Sequence, residues 1–253
     1  MSDQHPWTRY VALGDSFTEG VGDPEPLSPG GVRGWADRVA EVLSIGVPDF
    51  AYANLAIRGR LLNQIVAEQV NAALALSPDL ISISAGGNDL LRPGSDPDDV
   101  SARLETAVER LRRDGATVVL FAAPDVGTTP VLGRVRGRAA IYNENVRAIA
   151  LRHDAVIADM WALHQLADSR MWAADRLHFS PVGHHTIAAM VLDSLGVSHD
   201  LAPFVPEPLP AVSWRQARVE DIGWAREHLV PWVVRRIRHQ SSGDNREPKR
   251  PTF

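Results

Sequence analysis

Residues 80–89 read Leu80-Ile81-Ser82-Ile83-Ser84-Ala85-Gly86-Gly87-Asn88-Asp89. The first five have the apolar, β-branched character of a buried strand, and the two glycines end it. On the N-terminal side, Leu61 to Leu76 carries apolar residues at helical spacing and closes at Ser77-Pro78, where proline cannot continue a helix. On the C-terminal side, Asp98 to Arg113 repeats the amphipathic pattern and leads to Thr117-Val118-Val119-Leu120-Phe121. That run is free of charge and suits the centre of a parallel sheet. Further outward lie strands at Tyr10 to Leu13, Asp49 to Asn54 and Ala155 to Ala158, with helices at Trp35 to Ile45, Arg134 to His153 and Pro181 to Leu195. Five strands alternating with helices predict an α/β fold, a parallel sheet covered on both faces. No fixed-period repeat interrupts the pattern.

Composition narrows the chemistry. The chain has 253 residues, 45% apolar and 23% charged, ordinary values for a globular protein. No apolar stretch reaches the roughly 18 residues of a membrane span. The N-terminus, Met1-Ser2-Asp3-Gln4-His5-Pro6, lacks the basic start and apolar run of a secretory signal, so a cytoplasmic location is expected. With no cysteine, thiol nucleophiles, disulfides, iron–sulfur clusters and Cys-ligated zinc are excluded. Lysine occurs once, at Lys249. A Walker A loop, a pyridoxal Schiff base or a Ser–Lys dyad would need one within the domain. A net charge of −5 argues against nucleic acid as a partner.

In open parallel sheets, functional residues gather on loops leaving the carboxyl ends of strands. The first such loop reads Gly14-Asp15-Ser16-Phe17-Thr18-Glu19-Gly20. It sets a serine hydroxyl at the start of a helical turn, where N–H groups favour negative charge. The second reads Asn54-Leu55-Ala56-Ile57-Arg58-Gly59, whose glycine leaves an unobstructed N–H. The third brings Asn88, whose amide can donate to an oxyanion. Before the last helix stands Asp175-Arg176-Leu177-His178. Its carboxylate can curl back onto Nδ1 three residues later and leave Nε2 free to take a proton. Singly, each piece is most simply a cap, a turn glycine, a loop amide or an exposed histidine.

Together the four blocks resemble the SGNH hydrolases, the superfamily of GDSL-type esterases and lipases, over roughly residues 8–196. Phe17 stands where the eponymous leucine usually does. The resemblance implies a serine esterase acting on small-molecule, short-chain acyl esters through an acyl-enzyme, with no metal and no cofactor. Ser16 would be the nucleophile, His178 the base and then the acid, and Asp175 its orienter. Ser16 and Gly59 N–H groups with the Asn88 side chain would form the oxyanion hole, and Asp15 and Asp89 would support their loops. The expected fold is a three-layer α/β/α sandwich with a five-stranded parallel sheet of flavodoxin-like order 2-1-3-4-5, plus a C-terminal helical appendage. Acyl transfer to, or deacetylation of, a sugar or alcohol would use the same machinery, and a catalytically silent binding module is the reading from another class.

Phe17, Leu90, Leu91, Trp172 and Phe179 are candidates for an acyl pocket, with the loops Gly22 to Gly34 and Gly127 to Val135 as its walls. His178, His184 and His185 lie close in sequence, but the last two fall one residue apart on a helix and diverge by about 100°, which disfavours a metal site. Gly20-Val21-Gly22 leads into prolines rather than a helix, so no dinucleotide fingerprint is present.

Residues 211–253 hold nine basic and five acidic residues, a net of +4, leaving −9 on residues 1–210. The expected division is a hydrolase domain over 1–200, a Pro-rich connector over 201–212, a helical appendage over 213–239 and a disordered tail over 240–253. Pro231 would kink or divide the helix. The helix has three readings: packed on the domain with its tryptophans inward, a homodimer contact, or a peripheral contact with anionic membrane.

Overall fold

The computed structural model describes residues 5–127, 132–204, 218, 221–231, 234 and 241–253. Five parallel strands form one sheet in the order β2-β1-β3-β4-β5. They are β1 (Arg9–Gly14), β2 (Ala51–Asn54), β3 (Leu80–Ser84), β4 (Thr117–Ala122) and β5 (Val156–Asp159). Side chains alternate between two cores, as the period of a strand requires. Val11, Leu13, Ile81, Ile83, Val118 and Leu120 face one layer, whereas Tyr10, Ala12, Leu80, Val119 and Phe121 face the other.

The first layer is built from α3 (Leu62–Ile65), α4 (Asn71–Ala75), α6 (Pro97–Arg112) and α7 (Arg136–Arg152). The second contains α2 (Trp35–Leu43) and α8 (Pro181–Ser194). Two short helices, α1 (Ser16–Glu19) and α5 (Gly87–Leu90), begin just after β1 and β3. The chain passes from β1 to one neighbour and later lays β3 on the other side, so the loops after β1 and β3 part at the sheet's carboxyl rim.

The helix expected over Leu61 to Leu76 is interrupted by a π turn over Val66–Val70 between α3 and α4. Residues 221–231 are helical, with a π turn over Ala225–Leu229 just before Pro231. The rest of the appendage expected over 213–239, apart from residues 218 and 234, lies outside the described residues, as do 205–212 of the connector. No helix among the described residues is long and apolar enough to cross a membrane.

The tail departs from expectation. Residues 241–253, expected to be disordered with residue 240, lie against the domain instead. Arg250 forms an antiparallel bridge with Asn54 on edge strand β2, and Lys249, its side chain 2% exposed, reaches Asp37 at 2.6 Å. Local composition predicts disorder, but the partners that order the tail come from the opposite end of the chain.

Candidate active site

β1 ends at Gly14, whose φ of +153° is accessible to glycine and whose added Cβ would meet Thr18 and the Ser84 carbonyl. Both backbone groups of Gly14 are bound by one buried amide: Gln69 accepts from its N–H at 2.8 Å and donates to its carbonyl at 2.9 Å. Asp15 then caps α1, accepting from Phe17 N at 3.1 Å, so Ser16 begins the helix with its side chain free of the capping role. Glu19 closes the turn and is buried against Arg58, whose backbone N–H and Nε donate to it at 2.7 and 2.9 Å. The Ser16 turn and the Gly59 loop are thereby fastened together.

After β3, Gly86 has a φ of +88°, and a Cβ there would press on the Tyr142 ring and hydroxyl. Asn88 follows in α5, its Nδ2 donating to Asp15 at 2.9 Å and to the Arg60 carbonyl at 3.1 Å. Asp89 accepts from Leu62 N at 2.9 Å, a helix-start contact that supports its loop.

Before α8, the Asp175 carboxylate accepts from the N–H groups of Leu177 and His178, each at 3.0 Å. Its other oxygen lies 2.6 Å from His178 Nδ1. A carboxylate only accepts, so Nδ1 carries the proton and Nε2 is left as an acceptor. Burial would lift the Asp175 carboxyl, but the hydrogen bond and charge of His178 and the two N–H groups outweigh it and hold it at about 2. The Trp224 indole donates to the Asp175 carbonyl at 2.9 Å, and Arg176 pairs with Asp221 at 2.6 Å.

Asp15, Ser16, Asn88 and His178 line one cavity of about 220 Å³. All five candidate pocket residues, Phe17, Leu90, Leu91, Trp172 and Phe179, line it as well, joined by Phe121, Met160, Leu132 and Val135 among others. Gly59 is not among the lining residues. It sits in the adjoining loop at a φ of +75°, with Ser241 against its Cα. Of the two expected walls, 127–135 contributes Leu132 and Val135, with 128–131 outside the described residues, whereas 22–34 contributes none. That loop instead packs behind the site, where Gly22 abuts His178 and Phe179.

His184 and His185 point elsewhere. His185 reaches the Ala202 carbonyl at 2.9 Å. His184 is buried, accepting from Trp35 N and donating to the Val21 carbonyl, each at 3.2 Å. Sequence reasoning missed Gln69 and the Glu19–Arg58 pair, and placed Trp224 only among the inward tryptophans of the appendage, not on the Asp175 carbonyl. Opposite charges in two loops expected at one rim could have announced the pair, whereas a glutamine in mid-helix carries no such signal.

Two buried groups set opposite pH dependences of stability. Burial pushes His184 down to about 3, so below the roughly 6.5 of an unfolded imidazole the unfolded chain binds the extra proton and stability falls on acidification. Burial pushes Asp15 up to about 6, against the pull of Phe17 N–H, His178 and Asn88. Between there and the roughly 3.9 of an unfolded aspartate the folded chain holds the extra proton, and stability rises on acidification. The two slopes oppose each other between pH 6 and 4. Urea unfolding at pH 6, 5 and 4 is expected to show Asp15→Asn losing about 1 kcal/mol per pH unit relative to wild type. Parallel profiles would contradict the burial of an uncharged Asp15.

The sequence matches the GDSL-like Lipase/Acylhydrolase family over residues 12–186. No curated protein matches the chain. Among solved structures, LAE5, an alpha/beta hydrolase enzyme from the metagenome of Lake Arreo, Spain, superposes with a TM-score of 0.62 at 22% identity, covering 75% of this chain and 95% of its own. TesA gives 0.61 at 22% identity, with 74% and 97% covered. Axe2, an acetylxylan esterase from Geobacillus stearothermophilus, gives 0.60 at 19% identity, with 78% and 98% covered. At these identities the likeness is one of fold.

Proposed function

The chain belongs to the GDSL-like lipase/acylhydrolase family, and from that premise we propose that it is a serine esterase hydrolysing carboxylic esters through an acyl-enzyme. The observation that carries this reading is the 2.6 Å pairing of Asp175 with His178 on the cavity that also receives Ser16 and Asn88. Ser16 Oγ attacks the acyl carbonyl while His178 Nε2 takes its proton. Asp175, ionised throughout, holds the ring and stabilises the imidazolium. The oxyanion accepts from the N–H groups of Ser16 and Gly59 and from the Asn88 amide, which exchanges its bond to Asp15 for one to the oxyanion and keeps the Arg60 carbonyl. His178 returns the proton to the leaving alcohol. Water then repeats the sequence on the acyl-enzyme and frees the acid.

The apolar lining favours an acyl chain rather than a polar group. A cavity of ~150 Å³ accepts benzene, so this one holds roughly eight or nine carbons, longer than the short chains expected from sequence. The test is hydrolysis of p-nitrophenyl esters from acetate to decanoate. kcat/KM is expected to rise through octanoate, by up to about 0.8 kcal/mol of added burial per methylene, and to fall at decanoate. A folded protein that hydrolyses none of them contradicts the reading.

A further inference from the structure

The segment 241–253 lies beyond the residues matched by the family, yet its first residues lie against the loop that carries Gly59. Within it, Ser241 and Asp244 close a turn: Ser241 N donates to the Asp244 carboxylate at 2.9 Å and Gly243 N to the Ser241 hydroxyl at 3.1 Å. This turn sits on the Ile57–Arg60 loop. Ser241 blocks the space where a side chain at residue 59 would project. Buried Gly243 leaves no room beside the Arg58 carbonyl, and an added Cβ would also lie 2.9 Å from Ile57. Asp244 reaches Arg60 at 3.9 Å, and the Arg60 carbonyl accepts from the Asn88 amide.

The same segment is moored at its far end. Lys249 donates to Asp37 at 2.6 Å and to the Val32 carbonyl at 3.2 Å, and it is the chain's one lysine. Next to it, Arg250 exchanges backbone hydrogen bonds with Asn54 at 2.9 and 3.3 Å. Asn54 in turn donates to the Thr18 carbonyl of α1 at 2.9 Å. The mooring thus grips the strand that feeds the Gly59 loop, and the turn covers the loop itself.

We propose that residues 241–253 form a positioning strap, moored by Lys249 on Asp37, whose Ser241–Asp244 turn holds Gly59 N–H and the Arg60 carbonyl behind Asn88 in place for the oxyanion. This rests on the reading of Gly59 and Asn88 as oxyanion donors. Gly243 and Lys249 are positioning residues that touch no reacting atom. A strap of this kind acts on transition-state charge rather than on substrate affinity, because ester binding depends on the apolar cavity, which no residue of 241–253 lines.

The test uses the full-length chain carrying Gly243→Ala or Lys249→Met, assayed on the best p-nitrophenyl ester. kcat is expressed per serine titrated by a fluorophosphonate. Displacing an oxyanion donor by a fraction of an ångström is expected to lower kcat at least about 10-fold with KM within about 2-fold of wild type. Gly243→Ala is the deciding variant should Lys249→Met fail to fold. An active wild type beside a folded Gly243→Ala with unchanged kcat, or with the loss in KM alone, overturns the strap and leaves the esterase reading standing. A wild type that neither turns over esters nor reacts with the fluorophosphonate overturns that reading, and the strap's catalytic role with it.

Discussion

Ser16→Ala is expected to lower kcat on p-nitrophenyl esters by about 10⁵- to 10⁶-fold, the scale of removing a nucleophile whose base and oxyanion donors act only through it. The residual rate comes from binding and from the oxyanion donors. KM is expected to stay within a few-fold, because the cavity walls are untouched. The substitution should also leave stability alone. Asp15, not Ser16, caps α1, accepting from Phe17 N at 3.1 Å, and alanine is at least as good a helix residue as serine. Thermal unfolding of the variant beside wild type checks this half of the result. A variant that keeps more than a hundredth of the activity would mean that another group attacks the ester.

Asp175→Asn is expected to cost about 10⁴-fold in kcat, the penalty of presenting His178 in the wrong tautomer. Both oxygens of Asp175 are in use. One accepts from two backbone N–H groups at 3.0 Å each, and the other takes the His178 proton at 2.6 Å. An asparagine oriented to keep the backbone contacts points its NH₂ at His178, so the ring must carry its proton on Nε2 and cannot accept from Ser16. An asparagine oriented the other way sets its NH₂ against two donors. Steady-state kinetics with unchanged thermal stability would establish the effect. A loss under about 10-fold would assign the orientation of His178 to a different group.

The sheet was legible because its strands are short apolar runs buried on both faces, each ended by a turn residue. Expected and observed strand ends differ by at most two residues. The largest offset is at β2, where Asp49 was expected inside the strand and instead turns at a φ of +63°. The Asp175–His178 pair was legible because both residues lie on one short loop, where spacing alone brings them together. Gln69 was not, since its role arises from Gly14, fifty-five positions away, whose buried N–H and carbonyl it binds together. The tail failed for the same reason at greater range. Proline and charge read locally as disorder, whereas Lys249 and Asp37 are separated by 212 positions and meet only in the folded chain.

The proposed chemistry depends on Ser16 being the nucleophile. Its most direct test is to react the intact protein with a fluorophosphonate, digest it and map the adduct by mass spectrometry. One adduct is expected, on Ser16, formed in step with the loss of esterase activity and absent from Ser16→Ala. An adduct on any other residue, or full loss of activity with Ser16 unmodified, would contradict it.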